Sequence, residues 1–221
     1  MDKVIIIGGS GASIVIGEAI NHAKNKFNLE AEFVGLLNDA EDEEIRGFPV
    51  LGKLSDVSKF VAQGCKFLFT IYKMGGQPER IELFRSLNIP EENLFTFVHP
   101  LAFVSPSVHL SPGCVVMPNA SISSGTKLGH CSLVMSNTSI GHDNDIKEHC
   151  FFTANSCLGS YLSIGIGVWV GMNATLRGKQ TVGNYSAIGI GSVLVKDVPE
   201  NQLWLGNPAK FHKNVSEKIT M

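Results

Sequence analysis

Two hydrophobic rhythms divide this chain. Up to about residue 97, short apolar runs alternate with amphipathic segments: KVIIIG, then ASIVIGEAINHAKNK, then AEFVGLL, later CKFLFTIY, QPERIELFRSLN and NLFTFV. A short apolar run bounded by glycine or polar residues reads as a buried strand, and apolar positions repeating with a helical period read as one face of a helix. Strand and helix taking turns predicts a parallel sheet with covering helices, because a crossover between parallel strands needs a helix-sized connection. Sheets of that kind take ligands at the carboxyl ends of their strands.

From Val98 onward the rhythm changes to a period of six. Every sixth residue up to Leu194 is aliphatic or aromatic, seventeen positions without a polar interruption. Neither a helix nor a flat strand generates this period. A triangular coil does, in which each six-residue side points one side chain inward and three sides close a turn. Three residues after each inward position the chain must turn a corner, and residues that tolerate positive φ often stand there: Gly113, Asn119, Gly125, Asn137, Asp143, Asn155, Gly167, Asn173 and Gly191. Asn119, Asn137, Asn155 and Asn173 are spaced by one full turn, which predicts a stacked column joined by amide ladders. Mostly small residues, among them Cys114, Ala120, Thr126, Ser132, Cys150 and Ser156, fill the next place, where the corner leaves little room.

Composition narrows the function classes. The chain has 221 residues with 44% hydrophobic and 17% charged content, that of a packed soluble protein. Eighteen basic residues against twenty acidic give a net charge of −2, so no general field draws it to nucleic acid or anionic lipid. The early apolar run Val4 to Ile7 is far too short for a signal or membrane segment, and the expectation is a cytoplasmic protein. Five cysteines without a CxxC spacing read as small buried thiols in a reducing compartment.

Candidate chemistry concentrates in the polar stretch SNTSIGHDNDIKEHC, residues 136 to 150. The register puts His142 at a corner instead of in the core, with Asp143 beside it. An imidazole titrates near neutrality and can accept and hold a proton, and a neighbouring carboxylate raises its basicity. An ordinary exposed histidine is the competing reading. His130 and His149 occupy other corners and cannot meet His142 within one chain, so a zinc site of three imidazoles would need a subunit boundary, and no metal is expected. The loop GGSGAS, Gly8 to Ser13, follows a strand and opens a helix, where backbone N–H groups and the helix dipole receive phosphate. Ile14 stands where a dinucleotide fingerprint would have its third glycine, which disfavours NAD. A tight strand-to-helix turn without a ligand is the alternative.

The motifs IIIGGSGAS, GFPVLG, VHPLAFVSPSV, SIGHD and VLVKDVPENQLWLGNPAK, taken with the hexads, resemble the bacterial nucleotide-sugar acetyltransferases over nearly the whole chain. That group includes N-acetyltransferases of UDP-linked amino sugars and sialic acid O-acetyltransferases. The resemblance implies a Rossmann-like nucleotide-sugar domain at 1–97 and, at 98–221, a left-handed parallel β-helix that binds acetyl-CoA and carries catalysis. It also implies His142 as general base and Asp143 as its support, acting in direct attack of a sugar amine on the thioester. Gly8, Gly9, Ser10, Gly11, Asn38, Asp39 and Lys73 would bind the nucleotide sugar. Departures from the family pattern around TIYKMGGQPER leave the nucleotide and sugar open, with Gln77 also in that neighbourhood. Ser160, Met172 and Ile190 would contact acetyl-CoA, with Lys196 and Lys210 as phosphate partners, and Phe151 stands where a relative has a CoA-contacting histidine. Trp169 and Trp204 would cover the pantetheine arm or pack a subunit seam. A homotrimer with active sites between subunits is implied. The alternatives are O-acetylation of a sugar and a non-catalytic β-helical binding trimer.

Overall fold

The computed structural model describes residues 1–40, 43–72 and 74–215. Its first part is built on a five-stranded sheet. β1 (Asp2–Ile7), β2 (Ala31–Leu37), β4 (Phe48–Gly52) and β5 (Lys66–Phe69) run parallel in the order β4-β2-β1-β5. The two-residue β3 (Glu44–Ile45) pairs antiparallel with β4 at the edge, a hairpin that the apolar pattern alone did not announce. β1 is buried on both sides, which is why it reads as an unbroken Val4–Ile7 run. Val4 and Ile6 pack against α1 (Ala12–Phe27) through Ile14, Ile16 and Ile20, whereas Ile5 and Ile7 join Val57 of α2 (Val57–Ala62) and Phe84 of α3 (Gln77–Ser86). α1 sits close to the sheet at Gly17, where a Cβ would come within 2.3 Å of the Phe33 ring.

The second part is a parallel β-helix. Seventeen two-residue strands run from Phe97–Val98 to Val193–Leu194, and the second residue of each is an inward position of the hexad. From Val116 to Leu194 all of these are buried, while Val98, Val104 and Leu110 are half-exposed at the open end. Each strand pairs with the one eighteen residues on, so the coil length fixes the register. Every sixth residue from Gly113 to Gly191 has positive φ, fourteen corners in all. Nine are the residues expected there. The other five are Cys131, His149, Tyr161, Lys179 and Tyr185; His149 apart, no local preference predicts them, so the stacking of the coils imposes the turn there. The expected amide ladder is absent among the described residues. The asparagine column is joined by backbone bonds, such as Asn137 N–H to Pro118 O at 3.3 Å and Asn155 N–H to Ser136 O at 3.1 Å.

Three faces result, and their outward residues differ. On the first, Phe97, Val115, Leu133 and Phe151 are buried against α1 and the sheet, so this face is covered. The second shows Phe103, Ser121, Ser139, Cys157, Thr175 and Val193, small or apolar and without charge. The third shows His109, Lys127, Asp145, Ser163 and Thr181. α3 clamps the corner between the charged and covered faces: Gln77 Nε2 donates to Tyr185 O at 3.3 Å and Arg85 pairs with Glu148 at 3.0 Å. The segment NLFTFV adds only an isolated bridge, Leu94 to Phe67, before its end enters the first coil. The hairpin Gln202–Gly206 with Ala209–Asn214 extends the covered face at the far end.

Candidate active site

His142 and Asp143 stand on the corner between the uncharged and charged faces. Both side chains are about half exposed, and His142 Nδ1 lies 2.8 Å from Asp143 Oδ2. The carboxylate reaches this position because the corner one coil below is Gly125, where a Cβ would come within 2.3 Å of Asp143 Oδ1. Asp143 accepts at Nδ1, so the neutral ring carries its proton there and presents Nε2 to solvent as a base. The ring of Tyr161, on the same corner one coil above, meets the imidazole edge-on at 5.1 Å and 86°. Beneath the corner lies Asn144, which is 2% exposed and which the hexad reading passed over. Its Nδ2 donates to Gly141 O at 2.7 Å and Gly159 O at 3.1 Å, and its Oδ1 accepts from Leu162 N–H at 2.7 Å. One buried amide thus ties the carbonyls that precede His142 and Ser160 to each other. Its signal in the sequence was a larger polar residue at a place held, Gln180 apart, by small or apolar ones.

Gly8, Gly9 and Ser10 of the loop border a cleft of about 390 Å³ at the carboxyl ends of the strands, together with Asn38, Asp39 and Tyr72. Gly11 takes φ 87° as the residue before α1, whose first turn has no side-chain cap. Gly8 is required by space: a Cβ there would come within 2.4 Å of both Ser13 Oγ and Thr70 Oγ1, which are themselves bonded at 2.8 Å. Asn38 holds the loop from behind through Nδ2 to Gly8 O at 2.9 Å. Asp39 Oδ1 accepts the Leu54 N–H at 2.8 Å at the lip of the cleft. Lys73 lies outside the described residues. Gln77 is buried against Tyr185 and does not enter the cleft.

The residues expected at acetyl-CoA divide between two corners. Ser160 and Lys196 share the corner of His142, one and three coils above it, and Ser160 Oγ accepts the His142 N–H at 3.2 Å. Met172 and Ile190, 47% and 68% exposed, belong to the asparagine corner on the other edge of the uncharged face. Lys210 is exposed on the terminal hairpin. Within one chain these side chains do not converge. Phe151 lies under the first part of the molecule, packed between Tyr72 and Trp169. Trp169 and Trp204 both pack within the chain, the latter with Nε1 donating to Gln202 Oε1 at 2.9 Å. Burial pushes the Cys114 and Cys150 thiols up to about 12, in line with inert thiols, while Cys157 lies exposed on the uncharged face. Among the described residues, no three His, Cys, Asp or Glu side chains are grouped to hold a metal, and no helix is long and apolar enough to cross a membrane.

No protein-family model matches the chain. Perosamine N-acetyltransferase from Caulobacter crescentus, solved with CoA and GDP-perosamine, superposes with a TM-score of 0.82 at 26% identity, covering 97% of this chain and 98% of that one. That enzyme has been solved with a histidine replaced by asparagine and by alanine. The acetyltransferase domain of PglB from Neisseria gonorrhoeae shares the fold, with a TM-score of 0.67 at 24% identity over 96% of this chain and all of that one. Among curated sequences, the acyl-carrier-protein-dependent UDP-N-acetylglucosamine O-acyltransferase of Ectopseudomonas mendocina is 36% identical over 93 residues, 39% of this chain and 34% of that protein. Serine acetyltransferase 3 of Arabidopsis thaliana is 34% identical over 98 residues, 42% of this chain and 25% of that protein. The chain therefore spans about a third or less of the length of these curated relatives. It resembles the hexapeptide-repeat acetyltransferases of nucleotide sugars, and the coiled part is a left-handed β-helix of that kind.

Proposed function

We propose that this chain is an acetyl-CoA-dependent N-acetyltransferase of a nucleotide-linked amino sugar. The observation that carries the reading is the 2.8 Å pairing of His142 with Asp143 at an exposed corner, in a chain superposing over nearly its full length on an enzyme solved with CoA and GDP-perosamine. In this reading residues 1–97 form a Rossmann-like domain whose Gly8–Gly11 loop receives the diphosphate, and residues 98–221 carry the base and acetyl-CoA. His142 Nε2 takes a proton from the sugar nitrogen as the nitrogen attacks the thioester carbonyl. The imidazolium, stabilised by Asp143, then returns that proton to the departing CoA sulfur.

The same reading calls for a trimer. The uncharged face is the one that three copies can turn toward a common axis without burying charge, and cyclic closure then lays the His142 corner of one copy beside the asparagine corner of the next. Rotation about an axis parallel to the coils preserves height. With stacked strands ~4.8 Å apart, the partner's Met172 and Ile190 stand roughly 8 and 13 Å above His142 along the coil axis. They line the seam where the pantetheine arm would run, and Ser160 and Lys196 close its other side. The division of these residues between two corners is then what a shared groove requires. The reading also carries a cytoplasmic site of action, where unbridged cysteines stay reduced.

A free-thiol assay with acetyl-CoA against UDP-, dTDP- and GDP-linked amino sugars tests this directly. Thiol release with at least one amino sugar is expected. Release with free sialic acid alone would establish O-acetylation instead, and release with none would leave a binding trimer. Sedimentation should give a trimer, and a charge placed on the uncharged face, Ser139→Glu, should remove assembly and activity together.

A further inference from the structure

Beside the site described above, a second groove of about 310 Å³ runs between α1 and the asparagine corner, and none of its polar residues has a role in the reaction as derived so far. Two imidazoles and a carboxylate face it. His99 is 1% exposed, and its Nδ1 accepts the Leu101 N–H at 3.1 Å. A ring nitrogen that accepts a backbone N–H carries no proton in the neutral ring, so His99 holds its proton on Nε2. That Nε2 lies 3.4 Å from His22 Nδ1, with the two rings within 7° of parallel and their centroids 5.6 Å apart. Two rings joined nitrogen to nitrogen in one plane have this separation. His22 therefore accepts at Nδ1, and its own proton is fixed on Nε2. The direction of donation runs from the Leu101 backbone through His99 to His22. Burial, and then the neighbouring His22, hold His99 below the usual histidine range, which keeps it neutral and the chain of bonds intact. Glu18, one turn before His22 on α1, faces the same groove.

Position gives the groove its occupant. It begins at Val15, one helical turn past the Gly8–Gly11 loop, and its far wall includes Ser136. A diphosphate on the loop leaves its next group about one turn, ~5.4 Å, away, at the groove's entrance. In the trimer, the partner's His142 stands six residues of coil above Ser136, about a third of a turn and so ~1.6 Å higher. The groove thus lies between the phosphate site and the base.

Resting on the function proposed above, we infer that His22 and Glu18 are specificity-determining residues for the sugar, and that His99 is a positioning residue that fixes the proton on His22. Glu18 receives the N–H and O–H donors of the amino sugar, and His22 Nε2–H donates to a ring substituent. Leu101 and Met117 supply an apolar floor.

The test uses full-length enzyme and whichever nucleotide amino sugar the free-thiol panel selects. Glu18→Gln and His22→Ala should each raise KM for that sugar by roughly ten-fold, the worth of one hydrogen bond to a charged or fixed group. The loss should fall on KM for the sugar and not on KM for acetyl-CoA, and inhibition by the parent nucleoside diphosphate should persist. His99→Gln keeps an N–H near the Nε2 position and should stay close to wild type. His99→Asn keeps the acceptor for Leu101 but no donor toward His22, and should reproduce the KM of His22→Ala. Unchanged KM in Glu18→Gln and His22→Ala overturns the proposal, as do equal effects of the two His99 variants, which would make that ring a packing element. Absence of turnover with every amino sugar is a different failure, since it removes the underlying reading and this one with it.

Discussion

His142 and His149 are seven residues apart on adjacent corners of one coil, and their surroundings are opposite. His142 stands in solvent with a carboxylate 2.8 Å from Nδ1. His149, itself a corner residue at φ 57°, is 2% exposed beneath α3, edge-on to Phe84 at 4.8 Å and to Phe69 at 6.2 Å, and its Nδ1 has no partner. Burial first, and then the charges of Arg80, Arg85 and His130, drive His149 down to about 3. The repeat sets His149 at the positive-φ position of its corner and His142 one residue before the equivalent position, Asp143. What covers the corner decides whether an imidazole there is a base or a neutral ring packed between aromatics.

The largest break in this contrast should come from His142→Ala, which removes the base and should lower turnover by roughly 10²–10⁴-fold while leaving the fold intact. Steady-state rates together with far-ultraviolet dichroism check it, and wild-type turnover in the folded variant would refute the assignment. Asn144→Ala should act on the same corner from below. It strands the Leu162 N–H and the Gly159 carbonyl in the core, Gly141 O keeping the Thr126 hydroxyl at 2.8 Å, at a cost of about 2–3 kcal/mol, measurable by urea denaturation, with a loss of turnover because the backbone under His142 is released. Asp143→Asn keeps size and the corner conformation but withdraws the charge that faces the imidazole, and should reduce turnover about ten-fold in steady-state assays. Unchanged turnover in the folded variant would leave Asp143 only a corner residue.

The buried histidine gives the smallest effect per unit of pH. Its folded pKa lies below that of a free imidazole, so between about pH 6.5 and 3 the unfolded chain binds a proton that the folded chain refuses. Stability contributed by this site is therefore present above that window and lost as pH falls through it, at up to about 1.4 kcal/mol per pH unit. His149→Phe should flatten the acid side of the denaturation curve without changing turnover at neutral pH. Tyr161 and Tyr185 already show that aromatic residues are held at such corners. An unchanged acid slope would mean that His149 takes up its proton without opening the α3 contact.

Much of the site was legible because the hexad is a local code. An inward residue every six positions measures the coil, and the coil puts His142 on a corner with Asp143 beside it before any contact is known. The strand-to-helix turn at Gly8–Gly11 was equally plain, since glycines between an apolar run and an amphipathic segment mark such a turn. Counting in eighteens would also have separated Ser160 and Lys196 from Met172 and Ile190. Asn144 was harder, because nothing local distinguishes a buried amide bonded to three backbone groups from a polar residue facing water. The His22 and His99 pair was not visible at all: the two rings are 77 residues apart and meet only when α1 is laid against the first coils.

The sequence by itself therefore determined the prism, its period, the stack inside it and the corner on which the proposed base stands, because each of these follows from steric rules that act within one turn of chain. Tertiary structure alone decided which face lies under the sheet and α1, which corner α3 seals and which stays in water. Those choices rest on residues such as Leu133 and Phe151, whose strands look like every other strand in the coil until a surface from the far end of the chain is packed against them.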